Sequence, residues 1–344
     1  ALENSEIVFV GYGIVAPEYD WNDYEGLDVE GKTVLILVND PGYATQDANL
    51  FTGNAMTYYG RWTYKYEEAA RQGAAGALVI HETGPAGYGW EVVSGGSSAV
   101  QMDVKKEGEV PELKMEGWIT YEKVNEWMTS KGSSLEEMMS EALKEEFSPV
   151  SLGGGLNITF ATEVEESLSN NVIAVIPGSE RPDEYVFYMA HWDHLGRDTN
   201  LTGDQIFNGA YDNATGTAAL LAIAEAYQNA EEKPARSIAF LAVTAEERGL
   251  LGSAYYAQNP IYPVEKTVAA INMDVLNMHG RMKDITVVGY GNSELDEYVE
   301  KVAAAQGRMV NPDPAPEKGY FYRSDHFSFA KQGIPAVYAD AGME

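Results

Sequence analysis

The stretch "SIAFLAVTAEERGLLGSAYYAQ", residues 237–258, decides the fold of the C-terminal half of the chain. Its first seven residues form a short apolar run, which is typical of a buried strand. Two adjacent carboxylates, Glu246 and Glu247, end this run, and helix-like sequence follows. A strand that leads through a polar turn into a helix is the building unit of an α/β domain.

The same unit recurs along the C-terminal half. The other strand candidates are "NNVIAVIPG" (170–178), "EYVFYMAHWD" (184–193), "VAAINMDVLN" (268–277), "DITVVGYG" (284–291) and "IPAVYAD" (334–340). The helix candidates are "ATGTAALLAIAEAYQNA" (214–230), "GLLGSAYYAQ" (249–258) and "SELDEYVEKVAAAQG" (293–307). Strands that alternate with helices predict an α/β fold whose central sheet is mostly parallel and flanked by helices on both faces.

Residues 1–150 predict a separate, smaller, β-rich domain. Strand-like runs occur at 32–40 and 75–82, and a helix-like segment, "YKYEEAARQG", lies between them and ends at Gly73. Two more helix candidates follow, at 120–132 and 134–146. The stretch "FSPVSLGGG" then interrupts the pattern, so we place a domain boundary at residue 150 and a second domain over 151–344.

The chain is strongly acidic throughout. Its 344 residues include 23 basic and 53 acidic ones, for a net charge of −30, and 26 of the acidic residues precede residue 151. Such a surface repels nucleic acids and anionic membranes. The longest apolar runs fall short of the ~20 residues that a membrane span needs. We therefore expect no nucleic-acid partner, no membrane span and an extracytoplasmic location, periplasmic or secreted.

Cysteine is absent from the sequence. Disulfides, thiolate metal sites and cysteine nucleophiles are therefore excluded, and any metal must be held by His, Asp or Glu. No Gly-x-Ser-x-Gly motif is present, which disfavours a serine hydrolase.

Residues with His, Asp or Glu side chains gather where the predicted strands end. The candidates are His191, Asp193 and His194 after one strand, Glu246 and Glu247 after a second, Asp274 after a third, Asp212 before a helix and His326 at the entry of another. Ligands of open α/β sheets bind beyond the carboxyl ends of the strands. One such residue alone is usually a cap or a turn, but five segments together favour a metal site. His194 stays open between ligand and structural residue, whereas His81 and His279 have no partner at meaningful spacing.

The spacing within two segments suggests different roles. His191 and Asp193 are two apart and face the same side of a strand, so the Asp can accept the second N–H of a metal-binding His. Glu246 and Glu247 are adjacent and point differently, so one can bind a metal while the other serves as general base. Two cations would make so negative a cluster tolerable.

Five motifs together resemble the zinc aminopeptidase family with two co-catalytic metals, which is related to glutamate carboxypeptidase and the transferrin receptor. In chain order they are "AHWDHLG" (190–196), "NGAYDNATG" (208–216), "TAEERGLLGS" (244–253), "NMD" (272–274) and "SDHFSF" (324–329). The resemblance covers nearly all of residues 155–340 and implies a zinc-exopeptidase, phosphorylase/hydrolase-like fold. Residues 1–150 resemble a protease-associated (PA) domain, and the whole is most similar to bacterial two-domain members.

The resemblance implies two Zn²⁺ ions per chain and a role for each site residue. His191 and Asp274 would bind one zinc, and Glu247 and His326 would bind the other. Asp212 would bridge both ions and would be joined to Asn213 by a cis peptide. Asp193 would orient His191, and Glu246 would be the general base. The clustered side chains Tyr320, Tyr322 and Arg323 are either core residues or part of a substrate pocket.

The function that the resemblance implies is a metallo-aminopeptidase acting on peptides. A carboxypeptidase or dipeptidase using the same site, and a non-catalytic binding protein of the same fold, remain open, and the oligomeric state is not predicted. The chain departs from related sequences in two ways. We expect further sequence at both ends, and Val275 stands where related sequences often have Gly.

Overall fold

The computed structural model describes residues 1–98, 100–105, 110–144 and 146–342. The chain forms two compact units. Unit 1 comprises Ala1–Val100, Lys105–Glu165 and Ala315–Gly319, and unit 2 comprises Gln101–Val104, Glu166–Pro314 and Tyr320–Glu344. No helix in the described ranges combines the length and the apolar character that a membrane crossing requires.

Unit 1 is built on a five-stranded sheet with the order β6-β5-β4-β1-β7. The strands of unit 1 are β1 Leu2–Phe9, β2 Val15–Ala16, β3 Trp21–Asn22, β4 Thr33–Leu37, β5 Gly76–His81, β6 Met115–Thr120 and β7 Val150–Ile158. Its helices are α1 Pro41–Thr45, α2 Trp62–Arg71, α3 Thr83–Ala86, α4 Trp90–Ser98, α5 Tyr121–Ser130 and α6 Leu135–Glu141. Strands β6, β5, β4 and β1 run parallel, and β7 is antiparallel to β1.

The local signals in unit 1 have clear physical causes. Every residue of β4 is buried, as expected for a central strand covered on both faces. Thr120 and Ser134 cap α5 and α6 by accepting backbone N–H groups of the first turn. The boundary predicted at residue 150 falls on the first residue of β7, and the unit extends to Glu165. The Gly-rich segment that interrupts the sequence pattern thus belongs to an edge strand.

Unit 2 contains a seven-stranded sheet with the order β15-β14-β16-β13-β9-β12-β8. The strands of unit 2 are β8 Val172–Ile176, β9 Arg181–His191, β10 Gly196–Arg197, β11 Ile206–Phe207, β12 Arg236–Val243, β13 Thr267–Asn272, β14 Asp284–Val288, β15 Met309–Pro312 and β16 Ala336–Ala341. Its helices are α7 Ala214–Asn229, α8 Leu251–Gln258, α9 Leu295–Ala305 and α10 His326–Ala330. Strands β16, β13, β9 and β12 are parallel neighbours, whereas β8 and β14 pair antiparallel with β12 and β16. The predicted α/β fold with a mostly parallel central sheet is confirmed.

The central strand β9 is packed on both faces. Phe187 and Met189 face one side, where they join Tyr256 of α8 and Phe329 of α10 in one apolar cluster. Ala190 faces the other side and packs with residues of α7. This alternation follows from the two-residue period of a strand.

Strand pairing sets the position of the site. His191, the last residue of β9, pairs with Val243 of β12, and Met189 pairs with Asn272 of β13. Because these strands are parallel, their carboxyl ends meet at one rim of the sheet. The residues that directly follow the strands therefore become neighbours.

Candidate metal centre

His191 is the centre of the first group of candidate ligands. Its side chain is only 1% exposed, and its Nε2 atom lies 3.1 Å from Asp212 Oδ1 and 3.2 Å from Asp274 Oδ1. Two ligand atoms on a tetrahedral zinc, with bonds of about 2.0–2.1 Å, lie about 3.3 Å apart. The three side chains thus have nearly the spacing of co-ligands of one ion.

Asp212 is held in this place by the residue that follows it. The Asp212–Asn213 peptide is cis, as the resemblance implies. Asn213 donates from Nδ2 to the Met273 carbonyl at 2.9 Å and accepts from the Val275 backbone N–H at 3.3 Å. These bonds link the loop before α7 to the residues on both sides of Asp274, and so bring the two carboxylates to the same imidazole.

A second group consists of His194, Asp212 and Glu247, whose candidate ligand atoms lie within 4.8 Å of one another. His194 Nδ1 lies 2.6 Å from Glu247 Oε1. Asp212 belongs to both groups. Asp212, the predicted bridging residue, is thus the member that the two candidate groups share.

Asp193 contacts both the histidine and the glutamate pair. His191 Nδ1 lies 3.1 Å from the backbone carbonyl of Asp193 and 3.7 Å from its carboxylate. The carboxylate instead accepts the backbone N–H groups of Glu246, at 3.1 Å, and Glu247, at 3.4 Å. The hydrogen bond that orients His191 is therefore made by the main chain, and the side chain holds the turn that carries both glutamates.

A serine that the sequence did not single out completes the surroundings of Asp274. Ser324 Oγ donates to Asp274 Oδ2 at 2.7 Å, and Asn272 Nδ2 donates to Ser324 Oγ at 2.6 Å. Ser324 lies in "SDHFSF" and Asn272 in "NMD", so the signal was present inside two of the quoted motifs. These bonds leave the other oxygen, Oδ1, directed at His191.

The buried carboxylates of the site shift one another's pKa and that of His191. Burial and the charge of Asp325 raise the pKa of Glu246 to about 9. Burial, followed by the charge of a neighbouring carboxylate, also raises the pKa of Asp212 and Glu247. Burial would lower the pKa of His191, but its hydrogen bond to Asp274 and the surrounding carboxylates raise it to about 10. Carboxylates whose ionisation is disfavoured by burial and by one another are stabilised in their ionised form by a nearby cation.

His326 is placed in neither group. It begins α10, is fully buried and packs against the rings of Phe321, at 4.7 Å, and Tyr338, at 5.4 Å. Neither ring nitrogen has a hydrogen-bond partner among the described residues, and burial lowers its pKa to about 3. The structure does not bring His326 to Glu247 or Asp212, because its ring is inserted among aromatic side chains. Its predicted role as a zinc ligand therefore has no support in this geometry.

The remaining candidates are placed as follows. Tyr320 and Tyr322 form a single 3₁₀ turn, and the Arg323 guanidinium lies 5.1 Å from the centre of the Tyr320 ring. Their part in a substrate pocket stays a prediction. His81 is buried in unit 1 with Nε2 3.0 Å from the Tyr88 carbonyl, and His279 is exposed.

Residues 171–343, half of the chain, match the family described as Peptidase family M28. The chain belongs to this family. Among curated proteins, Aminopeptidase NAALADL1 of Mus musculus is 34% identical over 128 residues, which cover 36% of this chain and 16% of that protein. The Glutamate carboxypeptidase 2 homolog of Caenorhabditis elegans is 32% identical over 155 residues, 43% of this chain and 19% of that protein. The chain thus spans less than a fifth of the length of either relative.

One solved structure similar to this M28 peptidase chain is the aminopeptidase from Aneurinibacillus sp. strain AM-1. The two are 19% identical with a TM-score of 0.48, over 98% of this chain and 66% of that one.

The residues of this M28 member fit zinc. Imidazole nitrogens and carboxylate oxygens are ligands that zinc accepts, and the spacing around His191 is close to that of a tetrahedral site. Asp212 Oδ1 is buried and has no hydrogen-bond partner among the described residues. An acceptor in that state is satisfied by a bound cation.

Proposed function

We propose that the chain is a metallo-aminopeptidase that removes N-terminal residues from peptides at a site for two zinc ions. His191 and Asp274 would hold one ion, Glu247 the other, and Asp212 both. The observation that carries the proposal is the membership of Asp212 in two ligand groups. Zinc bound there would supply a Lewis acid for the peptide carbonyl and lower the pKa of water toward about 7.

Glu246 is the proposed general base. Its backbone N–H is held by Asp193, which fixes the turn from which its side chain projects. It lies close enough to His191, Asp274 and Asp325 for their charges to shift its pKa. A zinc ion held by His191 and Asp274 would favour the ionised carboxylate of Glu246, which is the form that accepts a proton. Glu246 would take a proton from the attacking water and return it to the leaving amine.

The acidity of the chain favours a substrate that carries a free N-terminus. The whole chain has a net charge of −30. An α-ammonium group is attracted to such a surface, whereas an anionic substrate is repelled. This charge disfavours the carboxypeptidase alternative, which the name of the C. elegans relative otherwise favours.

Two further properties belong to the proposal. Unit 1 would be a PA domain, as the resemblance of its sequence implies. The protein would be bacterial and act outside the cytoplasm, which suits its acidic surface.

The test combines metal analysis with a substrate panel. The purified protein is assayed for zinc content and for hydrolysis of aminoacyl-anilides and of N-blocked peptides, before and after chelation. We expect about two zinc ions per chain and anilide hydrolysis that chelation abolishes and zinc restores. Cleavage of N-blocked peptides alone would indicate the carboxypeptidase, and zinc binding without any hydrolysis would indicate a binding protein.

A further inference from the structure

His194 lies beside the second candidate metal position, and its distance to Glu247 shows how the two interact. The 2.6 Å between His194 Nδ1 and Glu247 Oε1 is a hydrogen-bond distance. It is clearly shorter than the about 3.3 Å expected between co-ligands of a tetrahedral zinc. Around His191 the corresponding distances are 3.1 and 3.2 Å. His194 and Glu247 are therefore closer together than the pairs around His191, at a distance that allows a short direct hydrogen bond.

The chain makes room for the ring of His194. Gly209, in the loop before α7, has a φ of +63°, and a Cβ there would lie 2.8 Å from the Cβ of His194 and 2.9 Å from the Asp212 carbonyl. The rings of His194 and Phe207 meet edge-on, with their centroids 6.5 Å apart. The His194 side chain is only 22% exposed. The Gly209 backbone and the Phe207 ring are thus both neighbours of His194.

Glu247 needs such a partner. It lies in a single 3₁₀ turn, Glu246–Arg248, between residues with positive φ at Ala245 and Gly249. The backbone N–H of Glu247 donates to Asp193, but the side-chain torsions between this backbone and the carboxylate can still rotate. Metal-binding carboxylates are oriented by hydrogen bonds from residues outside the ligand set, and losing such a bond commonly weakens metal affinity 10- to 100-fold.

We propose that His194 is a positioning residue: it donates its Nδ1 proton to Glu247 Oε1 and thereby directs the other oxygen of Glu247 to the second zinc. The inference rests on the proposed function, because it concerns the second of the two zinc positions. Nothing in it requires His194 to bind the metal.

The test measures zinc affinity rather than activity. Metal-free wild type, His194→Ala and His194→Asn are titrated with zinc by calorimetry or against a chromogenic chelator. The amide N–H of Asn can take the place of the Nδ1 donor, but an amide is a poor zinc ligand. We expect His194→Ala to keep the tighter zinc and to weaken the second about 10- to 100-fold, and His194→Asn to restore it to within a few-fold of wild type. His279→Ala, an exposed histidine, is the matched control.

Each other outcome overturns the inference in a distinguishable way. Unchanged binding of both ions by His194→Ala would show that the bond is not needed. Equal loss in the Ala and Asn variants would show that His194 is itself a ligand. A wild type that binds no second zinc would overturn the inference together with the dinuclear proposal. If His194→Ala does not fold, as judged by circular dichroism, His194→Val removes the same donor at larger volume.

Discussion

The Asp193 side chain accepts the backbone N–H of Glu246 at its Oδ1 atom, at 3.1 Å. The backbone carbonyl of Asp193 lies 3.1 Å from His191 Nδ1. One residue thus connects the candidate metal-binding histidine and the proposed general base by two different groups. A substitution of the side chain separates the two functions.

Asp193→Ala should lose activity without losing the first zinc. Alanine keeps the carbonyl that orients His191 but removes both acceptors for the glutamate turn. We expect kcat to fall by about 10²-fold, as when a reacting group is displaced by about 1 Å, with the tighter zinc affinity unchanged in a calorimetric titration. Loss of that zinc would instead show that the carboxylate orients His191. Asp204→Ala, at an exposed position in the loop between β10 and β11, is the control.

Glu246→Gln should separate zinc binding from turnover. The amide has nearly the shape of the carboxylate but cannot accept the proton, so kcat should fall by about 10²- to 10⁴-fold, the usual contribution of a general base. Zinc content, measured by elemental analysis, should stay at the wild-type value. Activity near that of wild type would exclude Glu246 as the base, and the exposed Glu225→Gln should behave as wild type.

Acid should destabilise the protein partly through His326. Its pKa is lowered to about 3 in the folded state, whereas it is about 6.5 in the unfolded chain. The neutral buried ring therefore contributes its whole share of the unfolding free energy above about pH 6.5, and this share is lost as the pH falls toward 3. In metal-free protein, the difference in unfolding free energy between wild type and His326→Asn should shrink by about 1.4 kcal/mol from pH 7.5 to 5.5. Urea unfolding at both pH values measures it. A difference in unfolding free energy that does not change with pH would contradict this. The exposed His279→Asn variant is the control.

Lys65 should be essential to the stability of unit 1. It is fully buried, its Nζ donates to the carbonyls of Tyr12 at 2.6 Å and Asn39 at 2.9 Å, and the carboxylates of Asp40 and Asp23 lie near it. Lys65→Met leaves those groups without their cation.

Removing one member of a buried charge pair costs about 3–5 kcal/mol. Urea unfolding of the Lys65→Met chain, followed by fluorescence, should therefore begin at clearly lower denaturant. Lys123→Met, whose side chain is 71% exposed, is the matched control. A loss no greater than that of the control would show that the buried charge is dispensable.

Val275 should be a strained position. Its φ is +53°, in the left-handed region that a β-branched residue rarely adopts. Such strain costs about 1–3 kcal/mol, and Asn tolerates this conformation. Val275→Asn should therefore raise Tm by about 2–4 °C, the shift expected for about 1 kcal/mol in a domain of this size. Val172→Asn, at an extended and 60% exposed position, has no such strain and should not raise Tm.

The departure at Val275 also shows how sequence and structure complement each other. The resemblance indicates Gly at this position, and the positive φ gives the physical reason. Strands β6, β7 and β15 of the two sheets were not predicted. Strand β7 is rich in glycine, and only its pairing with β1 makes it a strand. At His326 the motif shows only which residues are consecutive, and it is the structure that shows the ring packed against Phe321 and Tyr338.

The sequence by itself determined the alternation of strands and helices and the residue types at the strand ends, because apolar periodicity and turn chemistry are local. Only the tertiary structure decided which carboxylate meets which imidazole. His191 and Asp274 are 83 residues apart, and His194 and Glu247 are 53 apart. They meet because β13, β9 and β12 are neighbours in one parallel sheet. Strand order depends on how the whole chain packs, and no local pattern encodes it.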